Sequence, residues 1–367
     1  VEAPVTVVSS ALERGSGALA DVVKRVEAEL GEFWSTPLDV GEAELPKVRA
    51  STMNLVVLAA RGREEAAREE LLAVAESHAG RMFLLTVDGR LPPWDATSEA
   101  SAVCRVDGGA VPICYDRVEL AFGALAAERA GSCVRALSLP EVPTVVDLSR
   151  GNPAGQLEQS LVRVADRLII DSSRAPVSAL APLARDVRFT LADRTFVRNT
   201  SWRELVARSF DDAPSLARAV RRVRVGRTPA SGSAHDPAPM ILGWLASRLG
   251  WTFASRELAR DARGDDVAIE LVTFELAGCG AGELVEISLD AERGGAAYRF
   301  DVTRLPGEGG APPRRVRWKV RGARDETHLY PLGHRDEGWV LLMALDATAG
   351  DRVVREAILA AERWEAA

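Results

Sequence analysis

The sequence predicts an α/β N-terminal domain, with a mixed, mainly parallel sheet flanked by helices, followed by an α+β C-terminal domain with an antiparallel sheet. Three observations carry this. LVVLAA (55–60) and RMFLLTV (81–87) are apolar without alternation, as strands buried on both faces are. Amphipathic helical stretches lie between such runs, the arrangement of crossover connections in a layered sheet. From residue 267 onward, short strand-like runs are joined by Gly- and Pro-containing turns, which reads as a meander. The implied boundaries are an N-terminal helix and linker over 1–44, an α/β domain over 45–175 and an α+β domain over 176–367.

The first element is a helix over about 18–33, because Leu19, Val22, Val23, Val26 and Leu30 recur on one face. Strand 55–60 follows a polar connector, then a helix over 64–78 with Ala67, Leu71, Val74 and His78 in register, then strand 81–87. Segment 101–120 alternates, with Asp107-Gly108-Gly109 as a turn signal, and reads as a hairpin. A helix over 124–136, a strand over 143–149, a helix begun by Asn152 and Pro153, and a strand over 167–171 complete the domain. The segment 175–227 reads as mainly helical, including SLARAVRRVRV. A polar loop (227–237) and a helix bearing Ile241, Trp244, Leu245 and Leu249 come next. The C-terminal strands are read at 267–276, 284–291, 296–305, 314–320 and 338–347, and a last helix covers 350–366.

At 367 residues, 47% hydrophobic and with a formal net charge of −7, the chain is large enough for two cores. Its acidity argues against nucleic acid as the main partner, since phosphate neutralisation needs a basic footprint. No apolar run reaches the roughly 18 residues of a membrane span, so the expected location is cytoplasmic. Four cysteines do not make a disulfide scaffold. No Cys/His spacing suggests a metal, and no cofactor motif is present: GSG (15–17) and GCGAG (278–282) lack a Walker lysine. GCGAG is read as a hairpin turn between two strands. His328 and His334 flank a loop-like Tyr330-Pro331, read as surface.

Nothing resembles a nucleophile–base pair, so the expectation is a protein that is not an enzyme. Asp171 and Ser172 end an apolar strand, where α/β folds place ligand groups. They leave open a sugar-phosphate or nucleotide sensor or enzyme, against the ordinary capping role of such residues. Cys104 and Cys114 lie symmetrically about Gly109. Two reduced buried thiols are expected there, with a redox-sensing disulfide as the alternative. Arg315, Arg317, Lys319 and Arg321 alternate with Val316, Trp318 and Val320, placing the bases on one face of a strand. That face is either simply solvated or a docking surface for an acidic protein.

Several strings, taken in order, carry a resemblance: RASTMNLVVLA (49–59), PICYD (112–116), LPEVP (139–143), ADRLIIDSS (165–173), WRELVARSFD (202–211) and GWLASRLGW (243–251). The series resembles the OpcA family, assembly and allosteric activator proteins of glucose-6-phosphate dehydrogenase. Family members usually carry two adjacent Trp where Val145-Val146-Asp147-Leu148 stands here, and Cys-Cys-Glu in place of Cys114-Tyr115-Asp116. The resemblance implies a non-catalytic protein of the pentose phosphate pathway, serving NADPH metabolism. It would bind the multimeric dehydrogenase and favour its active oligomer, with no cofactor, nucleic acid, membrane or small-molecule substrate of its own. Trp and Arg concentrate binding energy at interfaces. The candidate contacts are therefore Arg49, Asp171, Ser172, Trp202, Arg203, Trp251, Arg315, Arg317 and Lys319, with the tryptophans at the interface or in the core supporting it.

Overall fold

The computed structural model describes residues 6–11, 15–36, 38–40, 43–45, 48–49, 51–75, 77–106, 113–231, 236–307, 311–322, 325–333, 336–347 and 351–367. Two compact units make up the chain: Val1–Ile170 with Arg188–Thr190 and Glu337–Leu345, and Asp171–Val187 with Leu191–Asp336 and Asp346–Ala367. Among the described residues, no helix is long and apolar enough to cross a membrane.

The first unit begins with β1 (Thr6–Ala11), β2 (Gly15–Ala18), α1 (Leu19–Ser35), β3 (Leu38–Val40), β4 (Ala43–Leu45) and β5 (Val48–Arg49). Next come β6 (Asn54–Leu58), α2 (Glu64–Ala75), β7 (Arg81–Val87), β8 (Asp95–Val106) and β9 (Ile113–Phe122). It continues with α3 (Ala130–Leu137), β10 (Thr144–Asp147), α4 (Gln156–Val162) and β11 (Arg167–Ile170). Within this unit the sheet runs β1-β8-β9-β7-β6-β10-β11, parallel from β9 onward. All of β6 is buried because it sits inside the parallel stretch, which is why its sequence lacks alternation. Asn54 enters β6 without an unmet polar group. Its amide donates to the Leu139 carbonyl at 3.0 Å and accepts from the Leu139 N–H at 2.8 Å. α1 buries Val22, Val26 and Leu30, the face read from the sequence. The helix expected to start at Asn152-Pro153 instead starts after Gly155, since the Asn152 side chain accepts from Ala154 N–H within a preceding turn. The hairpin β8–β9 is present; its expected turn residues, 107–109, lie outside the described residues.

The second unit holds α5 (Val177–Arg185), β12 (Thr190–Asp193, from Leu191), α6 (Arg194–Arg198), α7 (Thr200–Arg208), β13 (Val220–Arg227) and α8 (Ala238–Leu249). Further on are β14 (Thr252–Ser255), β15 (Leu258–Arg260), β16 (Asp266–Thr273), β17 (Leu284–Arg293), β18 (Ala296–Arg304), β19 (Arg315–Arg321) and β20 (Glu326–Pro331). α9 (Glu337–Asp346) belongs to the first unit up to Leu345, and the second unit closes with α10 (Asp351–Ala366). The sheet order is β14-β15-β16-β13-β17-β18-β19-β20, antiparallel except for β13 on β16. α8 and α10 cross closely at Gly243, where a β-carbon would stand 2.1 Å from the Ala357 carbonyl oxygen.

Three elements differ from the sequence reading. Val220–Arg227 is a strand rather than the end of a helix: Val220, Val223 and Val225 are buried, and the arginines between them reach outward. It lies between β16 and β17, so GCGAG joins non-adjacent strands and is no hairpin turn. The run expected as a strand over 338–347 is α9. Its apolar residues fit either period, and Arg167 helps fix the helix by donating to its last carbonyls, Leu345 at 2.5 Å and Ala344 at 2.6 Å. Tyr330 and Pro331 belong to β20 rather than to a loop; His334 lies outside the described residues.

Candidate docking face and supporting clusters

β19 alternates strictly enough to define two faces. Val316 and Trp318 point inward, and the Trp318 indole N–H donates to the Leu205 carbonyl at 3.0 Å and to Ser209 Oγ at 2.9 Å. These bonds pin the strand to α7, so its outward residues have fixed places. Outward lie Arg315, Arg317 and Arg321, all exposed, and the half-buried Lys319. Across β18 and β20, Lys319 stands opposite Asp301 and Thr327, and Arg317 opposite Thr303 and Leu329. Directly opposed residues share a face.

Asp301 decides the charge balance on this face. It is held by Arg299 at 2.8 Å, Arg321 at 3.0 Å and the Ser288 hydroxyl at 2.7 Å. Burial works against its charged form, but the Ser288 hydroxyl and the guanidiniums prevail and keep its pKa below the usual carboxylate range. Its charge is thereby matched by Arg299 and Arg321. Arg317 and Lys319 make no ion pair or side-chain hydrogen bond among the described residues. Leu329 beside them is 55% exposed. Two unmatched cations beside an exposed leucine combine electrostatic attraction with an apolar anchor.

The other candidate contacts sit elsewhere and are buried or already paired. Trp202 is 2% exposed and Trp251 is also buried; of the two places expected for them, interface or supporting core, both occupy the core. An apolar side chain in α7 faces the sheet because that is the helix's buried stripe. Arg203 lies over the Phe196 ring at 3.3 Å and donates to the Phe196 carbonyl at 2.8 Å. Burial pulls its pKa down to about 10. Arg49 is paired with Asp116 and lies 5.0 Å from the Trp34 ring, so its charge is already committed.

Asp171 and Ser172 are likewise buried. The Asp171 carboxylate accepts from Ser173 Oγ at 2.6 Å, Thr195 Oγ1 at 2.6 Å and Arg198 at 2.9 Å. Asp193 accepts from Ser172 N–H at 2.9 Å, Ser172 Oγ at 2.7 Å and Thr195 N–H at 3.1 Å. Burial, then the neighbouring Asp171 charge, pushes Asp193 up to about 6. A carboxyl whose folded pKa is raised binds its proton more tightly in the folded state. Its ionisation therefore lowers stability as pH rises from about 4 to about 6. Asp193→Asn is expected to remove that slope and raise stability at pH 7.5 by about 1–2 kcal/mol. Urea unfolding of both proteins at pH 5 and 7.5 checks this; an unchanged difference between the two pH values would refute it.

Cys104 and Cys114 are directly opposite in β8 and β9, with Cα atoms 4.0 Å apart, and they form a disulfide. This corrects the expectation of reduced thiols: the antiparallel register stacks the two side chains. Phe33 and Trp34 of α1 pack against the bridge. Closing a loop of 10 residues restricts the unfolded chain by about 3 kcal/mol. Reduction, or Cys104→Ser, is expected to lower the stability of the first unit by up to that amount. Unfolding curves with and without reductant measure it, and superimposable curves would exclude the bridge. Cys133 remains a free thiol, buried and pushed up to about 12.

The strand-end crevice in the first unit is filled by the chain itself. Strand order reverses between β6 and β10, the place where open α/β sheets bind ligands. There Arg150 pairs with Glu70, and Glu158 Oε1 accepts from Asn152 N–H at 2.7 Å. Sequence reasoning missed Asp116, Asp301 and Leu329. Their only sequence signal was position within alternating strands, and which groups they would face depended on strand order.

Residues 72–185 match the family described as glucose-6-phosphate dehydrogenase subunit N-terminal domain, and residues 190–358 match its C-terminal domain. The chain belongs to the OpcA family. It is 35% identical over 146 residues to the OxPP cycle protein OpcA of Synechocystis sp., covering 38% of this chain and 30% of that protein. It is 31% identical over 163 residues to the namesake from Nostoc punctiforme, covering 42% and 34%. The chain thus spans about a third of the length of these curated OpcA relatives. Among solved structures, a mutant of the 3-ketoreductase KijD10 from Actinomadura kijaniata aligns at 11% identity and TM-score 0.45, covering 86% of this chain and 98% of that one. At that score the likeness says nothing of this OpcA chain's chemistry.

Proposed function

We propose that this chain is a non-catalytic, cytoplasmic partner of glucose-6-phosphate dehydrogenase that docks through the outer face of β18–β20 and favours the enzyme's active oligomer. The observation that carries the docking face is the pair of unmatched cations, Arg317 and Lys319, beside exposed Leu329. Family membership supports the dehydrogenase as that partner. An activator shifts an equilibrium only by binding the active form more tightly than the inactive one. A coupling of about 1–3 kcal/mol corresponds to roughly 5–150-fold in substrate affinity.

The test is titration of this chain into the host's dehydrogenase at subsaturating glucose 6-phosphate, with size-exclusion chromatography of the mixture. Co-elution and a fall in the apparent substrate constant are expected, both weakening with salt because charges steer the encounter. Separate elution with unaltered kinetics would reject the proposal.

A further inference from the structure

β20 is the last strand of the second unit's sheet, and among the described residues no strand lies on its far side. An unpaired strand edge presents a row of free N–H and C=O groups, which another extended chain can complete. Register decides which residues own those groups.

β20 pairs with β19 antiparallel, Val316 opposite Tyr330 and Lys319 opposite Thr327. Leu332 N–H donates to the Arg314 carbonyl at 2.7 Å, so positions 314 and 332 form a hydrogen-bonded pair. Such pairs recur at every second residue along an antiparallel ladder. Tyr330 and His328 therefore direct their backbone groups to β19, whereas Thr327 and Leu329 turn theirs outward. The other side of β19 agrees: Leu305 N–H donates to the Arg315 carbonyl at 2.9 Å, so Arg315, Arg317 and Lys319 bond to β18 and leave Val316 and Trp318 to β20. Pro331 also falls at an outward position, has no N–H to offer, and ends the open stretch.

Contacts on the inner face keep this edge extended. The Trp318 ring lies 5.6 Å from His328, and the Arg208 guanidinium of α7 lies 5.5 Å from the Tyr330 ring. A strand already fixed in its bound form loses little freedom when another pairs with it. Thr327 and Leu329 themselves are exposed.

Charge selects the occupant. On the outer face Leu329 stands beside Arg317, and Thr327 beside Lys319. A residue paired with Leu329 from outside would share that face, with Arg317 two strand spacings, roughly 10 Å, away at the backbone. A long cationic side chain and a carboxylate-bearing one close that gap between them. A second copy of this chain paired at the same edge would instead bring two sets of these cations onto one face, which is repulsive.

We propose, resting on the docking face assigned above, that the Thr327–Leu329 edge takes an extended acidic segment of the partner as an added strand, its carboxylates meeting Arg317 and Lys319. The test is amide hydrogen exchange of the full chain alone, with the host's dehydrogenase, and with a capped peptide of alternating Glu and Val as a separate probe. Slower exchange at Thr327 and Leu329 is expected in both mixtures. Thr327→Pro removes an outward N–H and no bond to β19, and should weaken both complexes about tenfold. Thr327→Ala keeps the N–H and should weaken them far less. Circular dichroism confirms folding; if Thr327→Pro misfolds, exchange in the unmodified chain decides. Should Arg317→Glu with Lys319→Glu weaken the dehydrogenase complex while a folded Thr327→Pro does not, the added strand is overturned and the docking face stands. Protection by the peptide but not by the dehydrogenase would support the edge and remove the dehydrogenase as its occupant. Protection by neither, or a dimer of this chain that buries the same amides, would overturn the proposal.

Discussion

Asp116→Asn is expected to destabilise the first unit by about 3–5 kcal/mol, the range for removing one partner from a buried ion pair. The Asp116 side chain is 0% exposed and serves three donors. The Trp34 indole N–H reaches Oδ1 at 2.7 Å, Arg81 Nε reaches Oδ2 at 2.9 Å, and Arg49 pairs with Oδ2 as well. The amide removes the negative charge and leaves two guanidiniums facing each other. Arg81 suffers most, since it is buried and, among the described residues, its remaining acceptor is the Leu137 carbonyl. The single amide oxygen can serve either the Trp34 indole N–H or the guanidiniums but not both, so the hold on the end of α1 that packs on the disulfide weakens as well. Urea unfolding followed by circular dichroism measures the effect. A loss below about 1 kcal/mol would mean that water or rearrangement replaces the carboxylate, contrary to the geometry. Replacing Arg81 by Met together with Asp116→Leu should recover part of the loss, because the buried Arg81 charge goes with its partner and only the partly exposed Arg49 loses its carboxylate.

The double variant Arg317→Glu with Lys319→Glu is expected to weaken the proposed dehydrogenase complex at least tenfold while leaving the fold intact. Reversing two cations of the proposed docking face replaces attraction to an acidic surface by repulsion. Neither side chain supports the core: both lie on the outer face of β19, whereas Val316 and Trp318 carry its packing. Leu329→Ser should weaken binding without changing its salt dependence, since it removes the apolar anchor alone. Binding isotherms at two ionic strengths separate these outcomes. Unchanged affinity in the double variant, with native circular dichroism, would move the docking site off this sheet face and leave family membership untouched.

Much of the fold was legible in the sequence because local patterns recorded burial directly. The unbroken apolar run of β6 reported a strand covered on both sides, and the spacing of Val22, Val26 and Leu30 reported the buried face of α1. The alternation in RVRWKVR separated the basic face of β19 from its packed face. Other elements were ambiguous for a physical reason. α9 is apolar at nearly every position, so no period distinguished helix from strand. β13 carries arginines at a spacing that suits an amphipathic helix as well as a strand.

Of the candidate contacts, sequence composition favoured tryptophans and arginines alike, and could not separate those turned outward from those turned inward. Trp202 and Trp251 are core, Arg49 is held by a neighbour distant in the sequence, and Arg203 by Phe196 of the preceding helix. Their placement depends on which strands and helices meet, and no local window contains that information.

The sequence by itself determined the family, the two kinds of sheet, and the two-faced character of β19, because each rests on residue order or on short-range periodicity. Only the tertiary structure decided which charges remain available. Asp301 pairs with Arg299 and Arg321, Asp290 also pairs with Arg299, and Asp116 engages Arg49 and Arg81. Arg317 and Lys319 are left without such partners among the described residues. Ion pairing depends on distances of a few ångströms between side chains, and strand order, not sequence proximity, sets those distances.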